Sequence, residues 1–143
     1  MKRNFILSVA VFALFQLQAQ AQILIPQSSS RANNEQVIGL TKVKVDYARP
    51  SIKGRTVYGE LVPYGKMWRT GANENTVIHF STDVLFGEVP VKKGSYALYT
   101  LPKADNWEFI LYKDTNNWGL PEKWDEAKVA AAQLLNQKAF LEQ

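Results

Sequence analysis

The sequence predicts a mainly β fold: an antiparallel, β-sandwich-like sheet domain with a C-terminal α-helix. Three observations carry this. Several segments alternate apolar and polar residues with period two, Gly and Pro recur at close intervals between them, and an alanine-rich run free of Gly and Pro follows Pro121. No helical pattern alternates with the strands, which argues against a parallel α/β sheet.

The chain of 143 residues is enough for one domain. Its first segment reads as a signal peptide rather than as part of the fold. Lys2 and Arg3 precede an apolar run, Phe5 to Leu17, of about 13 residues, too short to cross a bilayer as a helix. "AQA" at Ala19–Ala21 supplies the small residues that a signal peptidase reads, so cleavage is expected after Ala21 and the mature chain from Gln22. The expected location is periplasmic or secreted. There is no cysteine, hence no disulfide, no lipoprotein anchor and no thiol chemistry. Removing residues 1–21 leaves 15 Lys and Arg against 13 Asp and Glu, a net charge of +2 instead of +4. These charges are interspersed, so nucleic acid is not an expected partner. With no second long apolar run, the cleaved protein is expected not to be an integral membrane protein.

Residues 22–36, "QILIPQSSSRANNEQ", read as a flexible polar arm, with the domain beginning near Val37. In "TKVKVDY", Val43, Val45 and Tyr47 alternate with Lys42, Lys44 and Asp46, which predicts a strand ended by Pro50. Gly54, Gly59, Pro63 and Gly65 then allow only turns and short pieces. Thr76 to Phe86 reads as a strand with a bulge near Asp83. A turn at Gly87–Glu88, a short strand around Val89 and Val91, and a turn at Lys92–Gly94 follow. Ser95–Leu101 and Trp107–Tyr112 are strong strands. From Glu122, the residues Trp124, Ala127, Ala131 and Leu134 fall at spacings of three and four, which predicts a helix with Trp124 and Leu134 on its buried side.

The candidate site is "PYGKMWRTGANENT" (Pro63–Thr76). Arg69 offers a planar fork of donors suited to a carboxylate or phosphate, Trp68 a flat surface for stacking, and Asn73 and Glu74 further polar groups. Arg49 and Arg55 would complete an anion-binding cluster if the turns bring them together. The ligand-binding candidates are therefore Arg49, Arg55, Trp68, Arg69, Asn73 and Glu74. The same residues also admit a structural reading. In that reading Trp68 fills the core, Arg69 pairs with Glu74, Glu60 or a backbone group, and Gly71–Asn73 forms a turn into the next strand.

His79, the single histidine, sits on the strand face opposite Ile78 and Phe80, with no second His or Cys to build a transition-metal site. Asp125 and Glu126 are expected to be solvated. Trp107, Tyr112, Trp118 and Trp124 read either as core or as a carbohydrate platform. No phosphate-binding glycine motif occurs, and no cofactor or metal is implied.

"YARPSIKGRTVYGELVPYGKMWRTGANENT" (Tyr47–Thr76), "VKKGSYALYTLP" (Val91–Pro102) and "NWGLPEKWD" (Asn117–Asp125) together resemble DUF2911, a domain family of exported bacterial proteins, chiefly of Bacteroidota. The resemblance covers about Val37 to Val129. It implies a signal peptide and a β-sandwich-like domain, and no activity, substrate or cofactor. It also implies further strands after the "KWD" region, where this chain reads "AKVAAAQLLNQKAFLEQ". Either the chain is truncated relative to the family or this member ends in a helix, and the completeness of the sandwich stays open. Three functions fit these readings. The first is a non-catalytic module binding an anionic or sugar-like ligand or a partner protein. The second is a hydrolase using Glu74 or Asp46 near the arginines. The third is an assembly module, or oligomer, that pairs through an open sheet edge.

Overall fold

A computed structural model describes residues 26–136. The expected signal peptide (1–21), and residues 137–143 of the expected helix, lie outside the described residues. Eight strands form: β1 (Ser30–Ile38), β2 (Thr41–Arg49), β3 (Thr76–Phe80), β4 (Val84–Phe86), β5 (Val89–Val91), β6 (Gly94–Pro102), β7 (Asn106–Tyr112) and β8 (Val129–Asn136). Six make one antiparallel sheet in the order β1-β2-β3-β6-β7-β8, and β4–β5 is a separate two-stranded sheet.

The alternation of β6 explains why both faces of the large sheet are covered. Tyr96 and Leu98 point to one face, where they meet Phe80, Leu111 and Ala131 beneath Val84, Phe86, Val89 and Val91 of the β4–β5 hairpin. Ala97 and Tyr99 point to the other, where Ile110, Tyr112, Met67, Trp124 and Val129 pack. The second layer is thus one short hairpin on one face and irregular chain on the other. Tyr112 and Trp124 stack with ring centroids 4.5 Å apart, and both meet Tyr99 edge-on.

The expected C-terminal helix is overturned. Among the described residues there is no α-helix, only one 3-10 turn, Glu126–Lys128, capped by the Asp125 carboxylate accepting from Ala127 N at 3.0 Å. Val129–Asn136 is strand β8, paired antiparallel to β7. The backbone row that β7 presents outweighs the helix preference of three alanines, since a short helix with so few large apolar residues has little packing to sustain it. The alanines have another reason to be there. Ala131 is buried under the hairpin, and the neighbouring Gln133 side chain lies so close beneath Gly87 that a Cβ there would stand 1.9 Å from it. Leu134, assigned above to a buried side, is exposed, because period two turns it away from Ala131 and Leu135.

Two further expectations are corrected. Ser30–Gln36, read as the second half of a flexible arm, belongs to β1, which pairs with β2 along its whole length. It carries no apolar alternation because nearly all of it is exposed on both faces. The slip near Asp83 is not a bulge: the chain leaves the sheet at Ser81 to build the hairpin. Asp83 anchors that departure by accepting from Lys93 N at 2.9 Å and Lys92 Nζ at 2.8 Å.

Tyr99 is fully buried and donates to Gly119 O at 3.2 Å. Burial, reinforced by the Asp114 carboxylate and opposed by a hydrogen bond with Asn117, pushes its phenol up to about 12. An unfolded phenol ionises near 10, so Tyr99 leaves stability unchanged below about pH 10 and lowers it as pH rises from about 10 to 12, by at most about 1.4 kcal/mol per pH unit. Urea titrations across this window should show that slope in the parent and a flatter one in Tyr99→Phe; equal slopes would show that Tyr99 is not the group responsible.

Candidate functional site

The "PYGKMWRTGANENT" segment is built onto the sheet by backbone pairing. Beyond the point where β3 begins, Trp68 takes β3's place beside β6: Trp68 N donates to Thr100 O at 2.7 Å and Thr100 N to Trp68 O at 2.9 Å. Gly65 N donates to Pro102 O at 2.8 Å. This register sends alternate side chains to opposite sides. Met67 joins the Tyr99 cluster. Trp68 goes to the hairpin-bearing face, where it meets Tyr58 and Trp107 edge-on, each at 6.3 Å.

The next residues turn sharply. Thr70 has φ +57° and Asn73 φ +58°. For a β-branched residue this costs roughly 1–3 kcal/mol. The conformation is held by Thr70 Oγ1 near Thr100 Oγ1 at 3.2 Å and by Thr76 Oγ1 donating to Thr70 O at 2.9 Å. Gly71 is not needed for positive φ. It is needed for space, because a Cβ would lie 2.9 Å from Thr76 Oγ1 and 3.2 Å from Ala48 O. Trp68 Nε1 closes the turn on Gly71 O at 3.2 Å. The turn opens into β3 at Thr76, as expected.

A cleft of about 810 Å³ opens at this end of the sheet. Its walls are Ser28 and Ser29 ahead of β1, the loop Pro50–Val62 after β2, and Trp68, Arg69, Ala72 and Asn73. Three cations line it, Lys53, Arg55 and Arg69, and none of its described lining residues is acidic. Arg55 spends two donors on its own loop, Nε to Ile52 O at 3.0 Å and Nη2 to Ser51 O at 2.7 Å. Asn73 Nδ2 donates to Gln27 Oε1 at 2.8 Å and Ser29 O at 3.3 Å, clipping the segment before β1 to the turn.

Arg69 departs from expectation. Its Nε is buried and, among the described residues, has no hydrogen-bond partner; neither Glu74 nor Glu60 reaches it. Its side chain lies against Gly119. Nearby, Asn75 N donates to Asn117 O at 3.1 Å and Asn117 N to Asn75 Oδ1 at 3.0 Å, while the buried Asn75 Nδ2 also lacks a partner. Arg69 as a whole is half-buried, so the cost falls on its Nε–H alone, roughly 1–3 kcal/mol for a buried unsatisfied donor.

Of the six candidates, the cleft gathers Arg55, Trp68, Arg69 and Asn73. Arg49, at the exposed end of β2, is not among its lining residues. Glu74 faces elsewhere: with Asp46 it is held by Arg31, whose Nη1 reaches Glu74 Oε2 at 2.9 Å and whose Nε reaches Asp46 Oδ1 at 2.8 Å. The two carboxylates considered for hydrolysis are therefore both engaged outside the cleft lining. Lys53 was missed by sequence reasoning, although its place in a Lys-Gly turn was a usable signal; it has φ +50°. Ser28 and Ser29 were missed because they were assigned to the arm.

The four aromatics considered as one platform do not share a surface. Tyr112 is buried and stacked on Trp124, Trp118 is exposed, and Trp107 lies in the Trp68 group. A second trough of about 270 Å³, lined by Tyr58, Tyr64, Lys103, Trp107, Phe109 and Leu135, adjoins the cleft through Tyr58, which borders both. His79 Nδ1 lies 3.0 Å from Ser95 Oγ. Among the described residues no group of three or more His, Asp and Glu side chains is placed to hold one metal ion.

The fold and the cleft define a mainly β, antiparallel sheet domain with a cationic, aromatic-walled concavity at one end of its sheet. The chain belongs to the DUF2911 family, described as a protein of unknown function, whose family model matches residues 29–142. The match thus includes all of β1 and β8. No curated protein and no solved structure matches the chain.

Gly71→Ala should destabilise the domain by about 1–3 kcal/mol, since the added methyl meets Thr76 Oγ1, itself bonded to Thr70 O, and the Ala48 carbonyl. A chemical-denaturation midpoint equal to the parent's would show that the contact between this turn and β2 is loose.

Proposed function

We propose that this domain is a binding module, not an enzyme, and that its cleft takes a small anion, a carboxylate or phosphate, carried on an apolar or aromatic body. One observation carries the reading: Arg69, with no salt bridge among the described residues, lines a cleft together with Lys53 and Arg55, and no described lining residue is acidic. A guanidinium with no carboxylate beside it gains charge-assisted hydrogen bonds from its accessible N–H groups when a carboxylate or phosphate enters. Val57, Tyr58, Leu61, Val62 and Trp68 on the other walls favour an apolar body. The engagement of Asp46 and Glu74 by Arg31 supports binding over hydrolysis.

Phenyl phosphate, inorganic phosphate and acetate are suitable probes, read by tryptophan fluorescence and by melting temperature. Phenyl phosphate should bind more tightly than inorganic phosphate. Arg69→Gln should weaken phenyl phosphate binding about ten-fold or more, the cost of a lost charge-assisted hydrogen bond. Its melting temperature should not fall, because no protein partner is lost. A parent protein indifferent to all three probes, or an Arg69→Gln variant that binds as well as the parent, would refute the reading.

We also propose that the domain acts after export, in the periplasm or outside the cell. The basic start, the short apolar run and "AQA" at Ala19–Ala21 support this. Intact mass of the exported protein should correspond to a chain starting at Gln22; retention of residues 1–21 would refute it.

A further inference from the structure

Strand β1 is an edge of the large sheet. It pairs with β2 along nine residues on one side and, among the described residues, with nothing on the other. Natural edge strands are usually protected by charged side chains, Lys above all, by Pro, a bulge or short length; the two charges of β1, Arg31 and Glu35, are opposite in sign. β1, "SRANNEQVI", has no Lys and no Pro, and its register with β2 is unbroken.

We propose that β1 pairs antiparallel with β1 of a second copy of this chain, about a two-fold axis at Asn33. Backbone geometry restricts the choice. In an antiparallel pair, residues directly opposite each other both turn their N–H and C=O groups toward the partner or both turn them away. Those groups alternate along a strand, so opposite residues in a self-paired edge must both be odd-numbered or both even-numbered. Among the few registers left, centring on Arg31 or Glu35 opposes like charges, and centring on Ala32 or Asn34 leaves both charges facing neutral residues. Only the register centred on Asn33 sets Arg31 opposite Glu35, and the symmetry does so twice. Both residues lie on the same sheet face, being four apart. Each has capacity left. Arg31 uses Nε, Nη1 and Nη2 once each toward Asp46 and Glu74, three of its five N–H groups. Glu35 gives Oε1 to Lys42 at 3.1 Å.

The register accounts for a second feature. The tip of the β1–β2 hairpin is apolar and bare, with Val37 59%, Ile38 64% and Leu40 97% exposed. Centred on Asn33, the pairing runs Val37 and Ile38 alongside Ser29 and Ser28 of the other copy, residues that line its cleft. Each copy's tip thereby extends an apolar wall at the other's cleft. The pairing does not depend on the identity of any ligand.

Because the chain has no cysteine, single-cysteine variants give an unambiguous test. Sedimentation of the purified parent should show a monomer–dimer equilibrium. Glu35→Arg, which sets Arg against Arg31, should raise its dissociation constant at least ten-fold. Under mild oxidation Asn33→Cys should form a covalent dimer rapidly, since opposite Cα atoms in either kind of antiparallel pair fall within disulfide range. Gln36→Cys alone should not, because its two copies stand about 20 Å apart along the strands. A mixture of Ser30→Cys and Gln36→Cys should cross-link. A parent that stays monomeric at all concentrations, or an Asn33→Cys variant that oxidises no faster than Gln36→Cys, would overturn the proposal.

Discussion

The pair of backbone hydrogen bonds between Trp68 and Thr100 is the joint on which the rest of the cleft depends. Together with the bond from Gly65 N to Pro102 O, it fixes the long connection from Pro50 to Asn75 against the sheet. With it, β6 is paired along nearly its whole length on that side, first by β3 and then by Trp68. The register decides that Met67 enters the Tyr99 cluster and that Trp68 joins Tyr58 and Trp107. Edge-on aromatic pairs of this kind add about 0.5–1.5 kcal/mol beyond their area, so the joint is supported from both faces.

The chain must then leave β6 and enter β3 within seven residues. That demand accounts for the strained Thr70, the close approach at Gly71 and the positive φ of Asn73. Strain of this sort persists where the surroundings over-determine it. Here the surroundings are Thr100, Thr76 and the backbone of Ala48, all buried. The unpartnered Arg69 Nε and Asn75 Nδ2 both sit beside the 117–119 loop, which Asn75 and Tyr99 tie down by hydrogen bonds.

The two edges of the large sheet are treated differently. β8 makes contact with the β4–β5 hairpin, and its pairing with β7 is irregular at Tyr112. β1 has a regular register and stands free among the described residues. The polarity of the whole surface does not distinguish them; what does is which edge has something packed over it.

How much was legible in the sequence follows from where each signal is stored. Val43 and Val45 in β2, the aromatics of β6 and β7, and the Gly87–Glu88 turn declared themselves because a half-buried strand must alternate and a tight hairpin needs its glycine. The turn from Gly71 into Thr76 was legible for the same reason, as was the concentration of arginines and a tryptophan around it. Tertiary structure alone decided the rest. Val129–Asn136 has helical spacing and alanine content, yet it is a strand because β7 offers an open row of backbone groups and the hairpin above buries Ala131 and seats Gln133 beneath Gly87. β1 has no apolar pattern because it buries almost nothing, so only its ladder with β2 identifies it. Arg55 and Arg69 share a cleft while Arg49 does not, and Glu74 turns to Arg31 and away from Arg69. Such pairings depend on distances between segments remote in the chain. Local sequence determines which backbone conformations each segment can adopt; which groups meet is settled when the strands choose their neighbours.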